Sequence, residues 1–126
     1  MILDPIIGGL KFSNVLMDGG NGLNLIYQDT MGINPARICR SKTSFQGVTP
    51  GPDTHCMGSL RLEVIFDSAD NFRRKKLIFH IVPFSCRYQA LLGREAFARF
   101  YAIPHYASLT LKMPGPCGII SLKGKH

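Results

Sequence analysis

Apolar runs in this chain are short. Few pass eight residues before a glycine or proline interrupts them, and 13 Gly and 8 Pro are spread over the 126 residues. Glycine loses more backbone entropy on ordering than any other residue, and proline lacks the N–H that helices and sheets need. Long helices are disfavoured by this punctuation, and many short strands are expected. The clearest strand lies at 59–66. There Leu60, Leu62, Val64 and Phe66 fall on one side, and Ser59, Arg61, Glu63 and Ile65 on the other. That two-residue period marks a half-buried strand. Lys76 to Val82 reads as its partner, with Leu77, Phe79 and Ile81 on one face and a turn at Asp67–Asn71.

The same reading along the chain predicts a strand over Phe12–Met17 and a second apolar run over Leu23–Tyr27. Gln28–Met31 could form a helical turn that stops at Gly32, and Asn34-Pro35 resembles a brief helix start. Residues 43–58 are rich in Gly and Pro and read as a mobile loop or open hairpin. Tyr88–Leu92 is an apolar run that ends at Gly93, and Arg94–Phe100 is the best helix in the chain, closed by Ile103-Pro104. Its aromatics Phe97 and Phe100, with Tyr101, read as core. Ser108–Lys112 and Ile119–Lys123 are two late strands with a longer loop over Met113–Gly118. The expectation is one mostly-β domain over 1–126 with one short C-terminal helix.

Hydrophobic residues make up 45% of the chain and charged residues 18%, a globular composition. No segment approaches the roughly 18 apolar residues of a membrane span. The opening Met1-Ile2-Leu3-Asp4-Pro5 lacks the regions of a signal peptide, so an intracellular, cytoplasmic protein is expected. Cys39, Cys56, Cys86 and Cys117 form no CxxC pair, and His55-Cys56 alone sets two metal-ligand types side by side. Free thiols and no metal follow. The net charge is +7, and its densest run, Arg73-Arg74-Lys75-Lys76, reads as a solvated hairpin end. No aromatic stacking pattern is interleaved with it, so direct nucleic-acid binding is not expected.

Asp18 is the residue that needs explaining. It follows the apolar Val15-Leu16-Met17 and precedes Gly19-Gly20. A carboxylate at the end of a buried strand is costly unless something satisfies it. The two glycines let the backbone turn and bring N–H groups close. An ordinary Asp-Gly turn would look the same. Some seventy residues on, Ala90-Leu91-Leu92-Gly93-Arg94-Glu95-Ala96-Phe97 repeats the plan of apolar strand, glycine and helix.

Taken with the stretch 15–27 and the tail, these residues resemble the retropepsin-like protease domain of plant gypsy-type LTR retrotransposon polyproteins. The tail motifs are Ala102-Ile103-Pro104-His105-Tyr106, Leu111-Lys112-Met113-Pro114-Gly115-Pro116 and Gly118-Ile119-Ile120-Ser121. Phe45-Gln46-Gly47 and Pro50-Gly51 fit the middle section. The resemblance implies a closed β-barrel of the acid-protease type and an aspartic endopeptidase that processes a polyprotein. It implies a homodimer in which each subunit supplies one catalytic aspartate, here Asp18, with Gly19 and Gly20 forming the active-site turn. It places a flap that binds the polypeptide substrate at Gly47, Val48, Thr49, Pro50 and Gly51. Leu91, Leu92, Gly93 and Arg94 become structural support, with Arg94 holding the helix start. No cofactor is implied.

Two positions depart from the family pattern. Active members usually carry Thr or Ser after the aspartate, and this chain has Gly19; Asn21 stands where a small residue such as Ala or Ser is common. A catalytically silent dimerisation or peptide-binding domain is therefore the alternative. A small basic nucleic-acid-binding domain is a third reading. His80 and His105 have no Ser or Cys partner in sequence, which disfavours Ser-His or Cys-His chemistry.

Overall fold

The computed structural model describes residues 1–27, 58–68, 71–82 and 87–125. Within them are eleven strands, one short α-helix and a single 3-10 turn, Tyr106–Ser108. The strands are β1 (Ile2–Leu3), β2 (Ile6–Ile7), β3 (Leu10–Lys11), β4 (Val15–Met17), β5 (Asn24–Tyr27), β6 (Gly58–Ser68), β7 (Asn71–Val82) and β8 (Ala90–Leu92). After the helix α1 (Arg94–Phe100) come β9 (Ile103–His105), β10 (Thr110–Gly115) and β11 (Gly118–Lys123). Eight strands form one sheet in the order β1-β4-β8-β5-β7-β6-β2-β3, and β11-β10-β9 form a second. The two are tied where Ile2 and Lys125 exchange backbone hydrogen bonds of 2.8 and 3.0 Å. The architecture is mostly β with one short helix, as expected. The ends of the large sheet, β1 and β3, do not pair with each other among the described residues.

The hairpin β6–β7 is the longest feature, paired from Gly58↔Ile81 to Ser68↔Asn71. Leu60, Leu62, Val64 and Phe66 are buried together with Leu77, Phe79 and Ile81, as their alternation required. The strands run further than the sequence suggested. Arg73, Arg74, Lys75 and Lys76 lie inside β7, opposite Phe66, Ile65, Val64 and Glu63. Arg73 is not simply a solvated end. Its guanidinium donates to the carbonyls of Phe100 (2.8 Å), Pro114 (3.2 Å) and Arg99 (3.4 Å) and lies 5.2 Å from the centroid of the Tyr101 ring. Two of those acceptors are at the end of α1, where carbonyls lack helical partners.

The helix spans the predicted residues and buries Ala96 and Phe100. Phe100 meets Phe66 edge-on at 4.9 Å. Of the three aromatics expected in the core, Phe97 is half-buried and Tyr101 is 69% exposed. Tyr101 takes the left-handed conformation (φ 51°) that stops the helix, and Ala102 N–H donates to Phe97 O at 2.9 Å. Helix termination thus precedes Ile103-Pro104, which form β9 with His105 rather than a loop.

Two further differences concern turns. The β10–β11 hairpin closes on Pro116-Cys117 alone, because β10 continues through Pro114 to Gly115. Pro114 is tolerated there because β9 pairs with β10 only as far as Lys112, which leaves Pro114 beside an open edge. At the N-terminus the hairpin β2–β3 turns on Gly8 and Gly9, both at positive φ (59° and 83°). The predicted helical turn at 28–31, the helix start at Asn34 and the loop at 43–58 lie outside the described residues, apart from Gly58, which opens β6.

Candidate active site

Asp18 stands at the end of β4, and three elements hold it there. β4 runs parallel to β8, with Val15, Leu16 and Met17 opposite Ala90, Leu91 and Leu92. β8 in turn pairs antiparallel with β5 on its other side. The two strands that flank the Asp18 turn are therefore not paired with each other; β8 is threaded between them. Alternation sends Val15, Met17, Ala90 and Leu92 into the main core, while Leu91 joins Leu25, Tyr27 and Val82 in a second apolar cluster on the opposite face. A polar turn is thus clamped at the rim of a sheet buried on both sides.

Much of the backbone of the turn is engaged. Asp18 N–H donates to Leu92 O (2.9 Å), Asn21 N–H to Asp18 O (3.2 Å) and Arg94 N–H to Asn21 O (2.7 Å). The half-buried Asp18 carboxylate accepts the Gly20 N–H through Oδ1 at 3.0 Å. Asn21 Oδ1 accepts the Leu23 N–H at 3.0 Å, so the loop closes with a second side-chain turn. From α1, Arg94 donates Nε–H to Gly19 O and Nη2–H to Gly20 O, each at 3.4 Å. Arg94 was expected to secure the start of its own helix. Its side chain instead reaches across to the Asp18 turn.

The glycines serve close approach, not unusual dihedrals. Neither Gly19 nor Gly20 has positive φ. A Cβ on Gly20 would lie 3.3 Å from Asp18 Oδ1, and one on Gly19 would lie 3.0 Å from Phe97 Cε2. A Cβ on Gly93 would run into the carbonyl oxygens of Leu23 and Asn21. Asp18, Gly19, Gly20, Leu92, Gly93 and Arg94 therefore form one contiguous unit. The expected flap residues Gly47, Val48, Thr49, Pro50 and Gly51 lie outside the described residues.

Asn24 belongs to this unit and escaped the sequence reading. It is 1% exposed and is the one buried polar residue of the described core. Its Oδ1 accepts the buried Gly93 N–H at 2.9 Å, and its Nδ2 donates to Ile78 O at 3.2 Å. One amide thus joins β5, β7 and the β8–α1 junction. The signal was available: an Asn inside the run Leu23-Asn24-Leu25-Ile26-Tyr27 must find partners or destabilise the strand. Nearby, burial lowers the pKa of the His80 imidazole below its ordinary value, and the Glu95 carboxylate opposes that shift. Among the described residues, no helix is long and apolar enough to cross a membrane.

No protein-family model matches the chain, and no curated protein matches it. Among solved structures it is similar to the retroviral protease-like domain of Ddi1 from Leishmania major. The superposition covers 97% of this chain and 93% of that one, with a TM-score of 0.62 at 12% sequence identity. The fold is retroviral-protease-like. At such low identity the likeness extends to architecture alone.

Proposed function

We propose that the chain is an aspartic endopeptidase domain, single over 1–126, that works as a homodimer with Asp18 from each copy as the catalytic group. The observation that carries this reading is the clamped Asp18-Gly19-Gly20 turn within a retroviral-protease-like fold. The 126 residues carry a single Asp-Gly-Gly triplet, and in this reading a second copy supplies the second carboxylate. Two carboxylates a few ångströms apart cannot both ionise comfortably and share a proton. The ionised one takes a proton from a water as that water attacks the scissile carbonyl. The protonated one polarises the carbonyl oxygen, and the roles reverse as the carboxyl that took the water's proton passes it to the nitrogen and the amine leaves. Gly47–Gly51 would act as the flap, binding substrate backbone as an added strand and excluding water. The substrate would be a polypeptide such as a retrotransposon polyprotein of the gypsy type, and the barrel would close through the second copy.

Cleavage of polyprotein-derived peptides between acid and neutral pH tests the proposal, with Asp18→Asn as control. The expected result is turnover by the wild type and a loss of at least about a thousandfold in the variant. Equal rates would remove the protease reading. Gly19 favours the second reading, a silent dimerisation or peptide-binding domain, because it offers no side chain to brace the turn. Peptide binding without cleavage by the wild type would favour it.

A further inference from the structure

Position 19 is shaped by a residue outside the Asp-Gly-Gly motif. The volume into which a side chain at Gly19 would grow is filled by the Phe97 ring, whose Cε2 and Cδ2 would lie 3.0 and 3.2 Å from an added Cβ. Phe97 is half-buried, packs on the main core and sits three residues after Arg94 on α1. Residues three apart share one face of a helix. That face therefore meets residue 19 twice, Arg94 through the carbonyl oxygen and Phe97 beside the Cα. The adjoining Gly20 carries the N–H that Asp18 Oδ1 accepts, so any displacement of residue 19 moves the carboxylate.

We propose that Phe97 is a positioning residue for Asp18: its ring braces the turn at Gly19 from within the same subunit, and glycine at 19 and phenylalanine at 97 form one coupled pair. This rests on the reading of Asp18 as the catalytic group. The pair accounts for a glycine at 19 without positive φ, since its lack of a side chain is what admits the ring. A Cβ at 19 requires the Phe97 ring to give by a few tenths of an ångström, so a residue with a side chain there works against the ring.

Four proteins test this: wild type, Gly19→Ser, Phe97→Leu and the double variant. Each is measured by thermal unfolding and by peptide cleavage across pH. Gly19→Ser is expected to lower kcat about tenfold with KM within about twofold, as a small displacement of a reacting group does. Phe97→Leu is expected to lower kcat and to move the pH limbs of kcat, which a uniform loss of folded protein would not do. The double variant should recover most of the Gly19→Ser loss in both Tm and kcat, a non-additivity diagnostic of contact. Additive effects in both measurements overturn the pairing. Coupled Tm values with unmoved pH limbs and unmoved kcat also overturn it, because Phe97 is then a packing residue only. An inactive wild type with coupled Tm values leaves the contact standing but removes both the catalytic reading and the positioning role.

Discussion

Gly93 and Asn24 carry the greatest leverage of any single residues at the site. A methyl group on Gly93 meets two backbone carbonyls, and backbone cannot swing aside as a side-chain tip can. Gly93→Ala is expected to destabilise the fold by about 2–3 kcal/mol, as overpacking against fixed atoms does. A lowered urea midpoint at unchanged slope would show it. Asn24→Ala removes both an acceptor and a donor, taking from the buried Gly93 N–H its side-chain acceptor and from the part-buried Ile78 carbonyl one donor. The cost is about 1–3 kcal/mol, since a stranded buried group loses its full desolvation energy. Asn24→Asp keeps the acceptor for Gly93, and once its carboxyl is protonated it has one O–H to offer Ile78, so at acid pH it should fall between wild type and Asn24→Ala. Unfolding curves for the three proteins at acid pH would rank them. Asp18 and Gly93 could be singled out from the strand-glycine pattern. Asn24 could not be placed, because its partners lie 69 and 54 residues away.

At the scale of elements, α1 shows how far local signals reach. Its span of Arg94–Phe100 follows from helix-favouring residues between Gly93 and a terminating turn. Its function as a brace does not follow from them. Arg94 reaches the Asp18 turn, Phe97 backs Gly19, and Phe100 anchors the helix to β6 through Phe66. The far end is held from β7 by Arg73. Arg73→Ala should therefore destabilise by about 1–2 kcal/mol, more than a solvated charge would. Hydrogen exchange at the amides of Tyr101 and Ala102 should accelerate first, since the last turn of α1 loses the guanidinium that engages its carbonyls. Unchanged exchange there would return Arg73 to the class of solvated charges. The basic run misled as a sequence feature because adjacent strand residues face opposite ways. Arg73 turns towards α1 and β10, whereas Arg74 is exposed and stacks on Phe72.

For the whole molecule, the proposed two-copy site makes activity depend on concentration. Specific activity should fall on dilution once protein drops below the dimer Kd, and a progress-curve series paired with sedimentation would reveal it. Constant specific activity from a monomeric species would contradict the shared site. Acidity has its own effect on the fold. Burial lowers the His80 pKa in the folded state, so between that value and its unfolded value of about 6.5 the unfolded chain binds more protons. Stability from this group is fully present above about pH 6.5 and is lost as pH falls through that window. His80→Gln should flatten the pH dependence of the urea midpoint there, and an unchanged slope would refute the assignment.

By itself the sequence determined the strand-rich class, the buried faces of β6 and β7, the extent of α1 and the prominence of Asp18. Those features depend on residues within a few positions of one another: alternation of period two, glycine and proline stops, and a carboxylate after an apolar run. Tertiary structure alone decided that β8 threads between β4 and β5 and that one buried amide joins β5, β7 and the β8–α1 junction. It also decided that Phe97 occupies the space beside Gly19. Those outcomes arise from contacts between residues some 50 to 80 positions apart. Such contacts are selected by the packing and hydrogen-bond satisfaction of the assembled core, which no local pattern encodes.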